Sequence, residues 1–273
     1  MKTAIITNGT SKAAILEMGS FVESLALDGF QIIKPSDDGV QTHGGIGVLM
    51  PYTDLVENGR YTLDGEVFQL PINEDGHALH GFAKDTRWRI SKRGKSSISL
   101  TTILSSKGYP GRLKAQTDYS VEKRGFSTKC SVTNVSKKGC PFVVGFHPYF
   151  LAKDWKIRTK SKAYKYKLRD KYFPTGKSKL YSFDNAGPDH DHDDTFRVAG
   201  PIRFQSESYE VVMRRIRMPF LVVYNGRYAD GRSVAIEPYT GITNAYNNGI
   251  GLRVLKPRES FHCGYEITLT RPA

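Results

Sequence analysis

Residues 143–150 read Val-Val-Gly-Phe-His-Pro-Tyr-Phe. Two β-branched residues followed by apolar and aromatic neighbours predict a strand. Side chains alternate between faces along a strand, so Val144 and Phe146 share an apolar face directed at a core. Val143, Gly145 and His147 share the other. Glycine two residues before the imidazole predicts an open floor beside the ring, where a ligand could lie. Pro148 cannot donate to a ladder, so the strand is expected to end near it and leave His147 at the mouth of a sheet. A side chain that titrates near neutrality suits proton transfer there. The competing reading is a core histidine with one ring nitrogen satisfied.

Residues 233–240, Ser-Val-Ala-Ile-Glu-Pro-Tyr-Thr, repeat the arrangement. Val234 and Ile236 face a core. Ala235 and Glu237 share the opposite face, and proline follows. A strand carboxylate is costly to desolvate unless hydrogen-bonded or wet, so an exposed glutamate is the ordinary reading. Two such segments in one chain point instead to a shared cleft. There a carboxylate facing an imidazole supplies a general base and a general acid.

Outward from these segments, alternation with period two recurs and sustained helical periodicity is nearly absent. Residues 114–121 and 262–269 alternate, and 13–18, 97–104, 128–135 and 220–224 are further strand candidates. Asn8-Gly9, Asp38-Gly39, Asn58-Gly59, Asp64-Gly65, Asp75-Gly76, Asn225-Gly226 and Asp230-Gly231 supply the positive φ angles of tight turns. Many strands joined by short polar turns predict an all-β protein, a large antiparallel β-sandwich. No break in composition divides residues 1–273, so a single domain is expected. Residues 172–195 are expected to form a long loop.

Composition agrees with this class. Aromatic residues make up 11% of the 273, and 26 glycines suit many turns. No apolar run reaches the ~18 residues of a membrane span. Residues 1–7 lack a signal-peptide core, and Cys130, Cys140 and Cys263 show no metal-ligand spacing, which together predict a reduced, cytoplasmic protein. The net charge of +13 raises anionic partners, nucleic acid among them. Much of it lies where Lys156, Arg158, Lys160 and Lys162 alternate, followed on the shifted phase by Lys165, Lys167, Arg169 and Lys171. With no nucleic-acid motif alongside, the pattern reads as a lysine coat on an edge strand or hairpin.

Two histidine-bearing stretches complete the inventory. Residues 73–82, Asn-Glu-Asp-Gly-His-Ala-Leu-His-Gly-Phe, form a glycine-flanked loop with His77 and His80. Residues 189–194, Asp-His-Asp-His-Asp-Asp, could present His190 and His192 to a metal, but no distant ligand set accompanies them, and a solvated loop is expected.

Taken together, these segments resemble the aldose 1-epimerase family, the galactose mutarotases. The likeness runs from about Ile46 to Thr270. It rests on Pro-Ile-Asn-Glu-Asp-Gly-His-Ala-Leu-His-Gly at 71–81, Tyr-Pro-Gly-Arg-Leu at 109–113 and Val-Thr-Asn at 132–134. It continues in Gly-Phe-His-Pro-Tyr-Phe at 145–150, Ile-Glu-Pro-Tyr-Thr at 236–240 and Leu-Lys-Pro-Arg-Glu-Ser at 255–260. The resemblance implies a mutarotase-like supersandwich that interconverts the anomers of an aldose or aldose phosphate. It implies Glu237 as catalytic base, His147 as catalytic acid and His80 near the anomeric oxygen. A substrate-binding aspartate in an Asp-x-x-Phe pattern fits Asp193, with Asp194 second. The partner implied is a small sugar, and no metal, nucleotide or redox cofactor is needed.

The pattern breaks at Asp54-Leu55, where the family usually reads Asn-Arg, so the usual substrate-binding arginine is absent. His77 and Arg258 stand where asparagine and glycine are common. Galactose is accordingly expected to be a poor substrate, with deoxy and phosphorylated aldoses as candidates. A carbohydrate-binding protein without turnover and a basic nucleic-acid binder are the alternatives. The acid–base pair favours the enzyme over the first, and steep salt dependence would mark the second.

Overall fold

The computed structural model describes residues 3–272. Two antiparallel sheets dominate it. The eleven-stranded sheet starts at the hairpin Thr3–Asn8 and Ser11–Leu16, then passes through Val22–Leu27 and Phe30–Ile33. It continues through Gly145–Leu151, Ser233–Tyr239, Phe220–Tyr224 and Asp193–Val198, and ends at the hairpin Ala163–Leu168 and Pro174–Tyr181. Ile46–Leu49 pairs beside Gly145–Leu151. The eight-stranded sheet runs Arg89–Arg93, Ser97–Leu104, Leu113–Glu122, Gly125–Asn134, Ser260–Pro272, Tyr209–Ile216, Ile202–Ser206 and Trp155–Arg158.

Alternation in the sequence is what lets the sheets stack. Leu113–Glu122 buries Leu113, Ala115, Thr117, Tyr119 and Val121 and turns the residues between them away from the core. Ring contacts join the layers: Phe146 lies 5.1 Å from Tyr265 and Phe150 lies 5.0 Å from Phe204. Asp64-Gly65 forms the tight turn its residues predict. Both have positive φ, 50° and 79°, between the paired residues Leu63 and Glu66.

Three expectations are corrected. The His147 strand does not end at Pro148 but runs to Leu151. Pro148 stands where one neighbour gives way to another: Ile46–Leu49 pairs up to Pro148, and Phe150 then meets Ile33. A missing donor costs little at such a hand-over. Residues 174–181 form a strand rather than part of a long loop, because their polar residues occupy the sheet's solvent-facing edge. Gly145 leaves no open floor. A Cβ there would come within 2.5 Å of the Tyr239 ring and 2.6 Å of Thr53, so the glycine admits that ring.

The lysine-rich segment divides. Trp155–Arg158 is an edge strand of the smaller sheet with Lys156 and Arg158 exposed, as a lysine coat requires. Lys165 instead pairs with Asp194 at 2.6 Å, and Arg169 with Glu57 at 2.6 Å. Among the described residues no helix is long and apolar enough to cross a membrane.

Candidate active site

Gly145 pairs with Tyr239 and Tyr149 with Ala235 across neighbouring strands, so His147 and Glu237 come opposite one another. His147 Nε2 lies 3.4 Å from Glu237 Oε2, with the two residues 5% and 2% exposed. Tyr239, two residues beyond Glu237 on the same face, donates its hydroxyl to Glu237 Oε2 at 2.5 Å. Tyr149, two beyond His147, stacks on the imidazole with centroids 4.8 Å apart and anchors its own hydroxyl on the Thr42 carbonyl at 2.8 Å. Both tyrosines follow from the period of the strand.

His80 reaches the pair from its loop, its ring edge-on to His147 at 5.5 Å. Its backbone has φ of 59°, and that of Asp54 has φ of 50°. The two exchange hydrogen bonds: His80 N–H donates to the Asp54 carbonyl at 2.8 Å, and Asp54 N–H donates to His80 Nδ1 at 3.2 Å. Nδ1 is therefore the acceptor, and the proton of the neutral ring sits on Nε2, available as a donor.

Asp193 reaches the same face from a third strand. It lies opposite Tyr224, which lies opposite Ala235, two residues from Glu237. The second candidate, Asp194, points to the other face and is held by Lys165 and by His192 Nδ1 at 3.1 Å. His192 is buried against Trp155 at 5.7 Å. Among the described residues no group of three or more His, Cys, Asp or Glu could hold a metal.

The electrostatics are those of a desolvated acidic cleft. Burial pushes the Glu237 carboxyl well above the usual range, and Asp54 and Asp193 push it further, against the Tyr239 hydrogen bond. Burial drives His147 down to about 3 and His80 well below its ordinary value. Asp54, which accepts a short hydrogen bond from the Thr243 hydroxyl, is raised to about 7 by burial and by Asp193. Asp193 reaches solvent at the rim, yet desolvation by the surrounding walls and the charge of Asp194 raise its carboxyl, against Lys171.

Asp54, Thr243, Tyr149 and Tyr239 are site residues the sequence reading did not single out as functional. Asp54 was visible as a departure from a pattern; Thr243 carried no signal. Leu55 is 7% exposed, paired with Leu79, and accepts from Asn244 N–H at 2.7 Å through its carbonyl. His77 is structural in its contacts: Nδ1 accepts from Asn58 N–H at 3.0 Å, and its ring meets Phe173 at 5.1 Å. Arg258 has φ of 66°, a left-handed backbone that glycine adopts more readily than arginine.

Asp54 makes a stability prediction. A carboxyl near 3.8 in the unfolded chain and near 7 when folded leaves the unfolded state with fewer protons between those values. Its contribution to stability therefore falls as pH rises from about 4 through 7. Asn tolerates the same left-handed backbone. Asp54→Asn is expected to raise Tm at pH 8, by roughly 2–4 °C per kcal/mol relieved, with the advantage gone at pH 4. Calorimetry at both values checks it, and a difference independent of pH would refute the assignment.

Two packed antiparallel sheets, with an imidazole and a carboxylate meeting on one face, define a β-sandwich with a buried histidine–glutamate pair. The aldose 1-epimerase family matches residues 2–268, and the chain belongs to that family. The uncharacterized protein YihR of Escherichia coli K12 is 27% identical, over 95% of this chain and 92% of its own. An aldose 1-epimerase of Haemophilus influenzae is 28% identical over 36% of this chain and 30% of its own. Among solved structures, a galactose mutarotase-like protein from Clostridium acetobutylicum superposes with a TM-score of 0.85 at 19% identity, covering 98% of this chain and 94% of that one. The GalM/aldose epimerase homologue from C. elegans gives 0.84 at 16% identity over the whole of both chains. At these identities the structural likenesses show the fold.

Proposed function

We propose that this protein is a mutarotase that equilibrates the α and β anomers of an aldose. The observation that carries the reading is the His147–Glu237 pair, buried at 3.4 Å on adjacent strands with His80 beside it. Glu237 takes the proton of the C1 hydroxyl while His147 gives one to the ring oxygen, which breaks the bond between C1 and that oxygen. The open aldehyde turns about C1–C2, and closure on the other face reverses both transfers. His80 Nε2–H donates to the anomeric oxygen, and Asp193 accepts from a ring hydroxyl at the rim.

Burial favours the uncharged forms of both partners, so the pair holds one proton over a wide pH range. Moving that proton from Glu237 to His147 makes the reactive arrangement with no change in net charge. Tyr239 tips this balance, since its hydroxyl stabilises the Glu237 carboxylate. Tyr239→Phe is expected to lower kcat for anomer exchange by roughly 10- to 100-fold, the worth of ~1.5–3 kcal/mol for a hydrogen bond to a charged group. An unchanged kcat would remove Tyr239 from the mechanism. Polarimetry of freshly dissolved sugars, with and without protein, tests the function itself.

The basic surface stands apart. A groove of about 790 Å³ is lined by Arg158, Lys160, Lys162, Arg203 and Arg214 and shares no residue with the cleft. Changing Lys160 and Lys162 to glutamate is expected to alter turnover of neutral sugars less than about threefold, since both are exposed, line a groove separate from the cleft and are screened by salt. A larger loss would tie this face to the reaction.

A further inference from the structure

The groove that stands apart from the cleft carries more positive charge than edge protection explains. Trp155–Arg158 is an edge strand, so a basic coat on Lys156 and Arg158 has a structural reason. Arg203 and Arg214 have no such reason. They lie on Ile202–Ser206 and Tyr209–Ile216, the second and third strands in from that edge, yet they line the same groove as Arg158, Lys160 and Lys162. Against these cations the groove sets one carboxylate, Asp184, which already accepts the Ser182 hydroxyl at 2.7 Å.

Two of the cations oppose one another. Arg158 and Arg203 are direct cross-strand partners, a relation in which like charges destabilise a sheet. Glu210 holds Arg203 through Nη1. Among the described residues Arg158, Lys160, Lys162 and Arg214 make no ion pair. The opposite wall is apolar. Leu180 is 65% exposed there, and Tyr181 is braced by Phe183 at 5.4 Å and Phe196 at 5.0 Å. The volume of about 790 Å³ falls in the ~300–1,000 Å³ range of small-molecule sites. Arginine's planar fork meets phosphate oxygens two at a time, and here two forks stand on neighbouring strands.

We propose that this groove binds a small organic polyphosphate of the nucleoside triphosphate class. The phosphates lie between the opposed guanidiniums of Arg158 and Arg203, with Lys160 beside them, and remove the repulsion. The organic body covers Leu180 and Tyr181. Single-stranded nucleic acid fits less well, because it needs a succession of stacking rings. Among the described lining residues Tyr181 is the one aromatic ring that is not buried. The groove shares no residue with the His147–Glu237 pair, so the inference stands or falls independently of the mutarotase reading.

Isothermal titration at physiological salt, without divalent cations, compares ATP, adenosine, inorganic tripolyphosphate and a short single-stranded RNA. Losing a charge-assisted contact weakens binding roughly 10- to 100-fold. Adenosine is therefore expected to bind at least about 100-fold more weakly than ATP, and tripolyphosphate more weakly by about tenfold because it leaves the apolar wall uncovered. Arg158→Glu with Lys160→Glu is expected to weaken ATP binding by about 30-fold or more. Lys92→Glu with Lys95→Glu makes the same charge change by the opposite edge of the same sheet, where both lysines are exposed, and is expected to weaken it less than about threefold. In the parent protein, ATP is expected to move the amide NMR signals of residues 158–163 and 203, a readout that needs no variant to fold. Absence of ATP binding at millimolar concentration, equal weakening by the two charge reversals, or signals that move elsewhere would overturn the inference. Tripolyphosphate or RNA binding as tightly as ATP would also overturn it, by assigning the groove to inorganic polyphosphate or to nucleic acid.

Discussion

Glu237→Gln is expected to lower the rate of anomer exchange by about 100-fold or more, and His147→Asn by a similar factor. Both amides approximate the shape they replace, but neither carries a proton between C1 oxygen and ring oxygen. Glutamine can still accept the Tyr239 hydroxyl through its carbonyl oxygen, so the cleft keeps that contact. The loss should appear in kcat rather than KM, because the proton transfers occur only on the way to the open chain. The double variant should be little worse than either single, since base and acid serve one step. Thermal unfolding of each variant near the parent temperature would show that the fold is retained. Near-parental exchange by either protein would sink the assignment of that residue.

The second large effect concerns Asp54 and Leu55. An arginine offers several fixed donors to sugar hydroxyls, and leucine offers none. A hydrogen bond to a charged group contributes ~1.5–3 kcal/mol, so its absence from the transition state lowers kcat/KM by roughly 10- to 100-fold. Galactose is expected to be a poor substrate for the parent protein. Leu55→Arg alone places a guanidinium beside the Asp54 carboxylate, which can capture it. Asp54→Asn with Leu55→Arg removes that acceptor and the excess negative charge together. The double variant is expected to gain about 10- to 100-fold in kcat/KM for galactose. Leu55 is nearly buried, so unfolding temperatures must accompany the kinetics. If the parent already prefers galactose and the double variant gains nothing, position 55 does not set specificity.

Much of this architecture was legible in the chain because period-two burial leaves a direct trace. The alternating segment 114–121 lies inside Leu113–Glu122, and the further candidates 97–104 and 220–224 are strands over those ranges. The same period places His147 and Glu237 on faces away from the core. What local pattern could not give is pairing. That these two residues lie opposite one another depends on joining strands some 90 positions apart. Pro148 read as a strand end because a proline's missing donor is a local fact, whereas the change of neighbour that tolerates it is not. Gly145 read as empty space because the Tyr239 ring that fills it arrives from another strand. The loop reading of 174–181 failed for the opposite reason: a polar, glycine-containing edge strand looks like a loop when its single neighbour is unknown. The spacing to Phe196 ranks Asp193 ahead of Asp194, and the sheet sends one to each face.

The central claim is that a buried imidazole–carboxylate pair opens and closes an aldose ring. Its most direct test is anomer equilibration followed by NMR after dissolving pure α anomers of a panel of neutral, amino and phosphorylated aldoses. Each is measured with no protein, with the parent protein and with Glu237→Gln. The account predicts that the parent accelerates equilibration of at least one sugar well above the spontaneous rate and that Glu237→Gln returns it to near that rate. Equilibration no faster than spontaneous for every sugar, or an equal acceleration by Glu237→Gln, would contradict it.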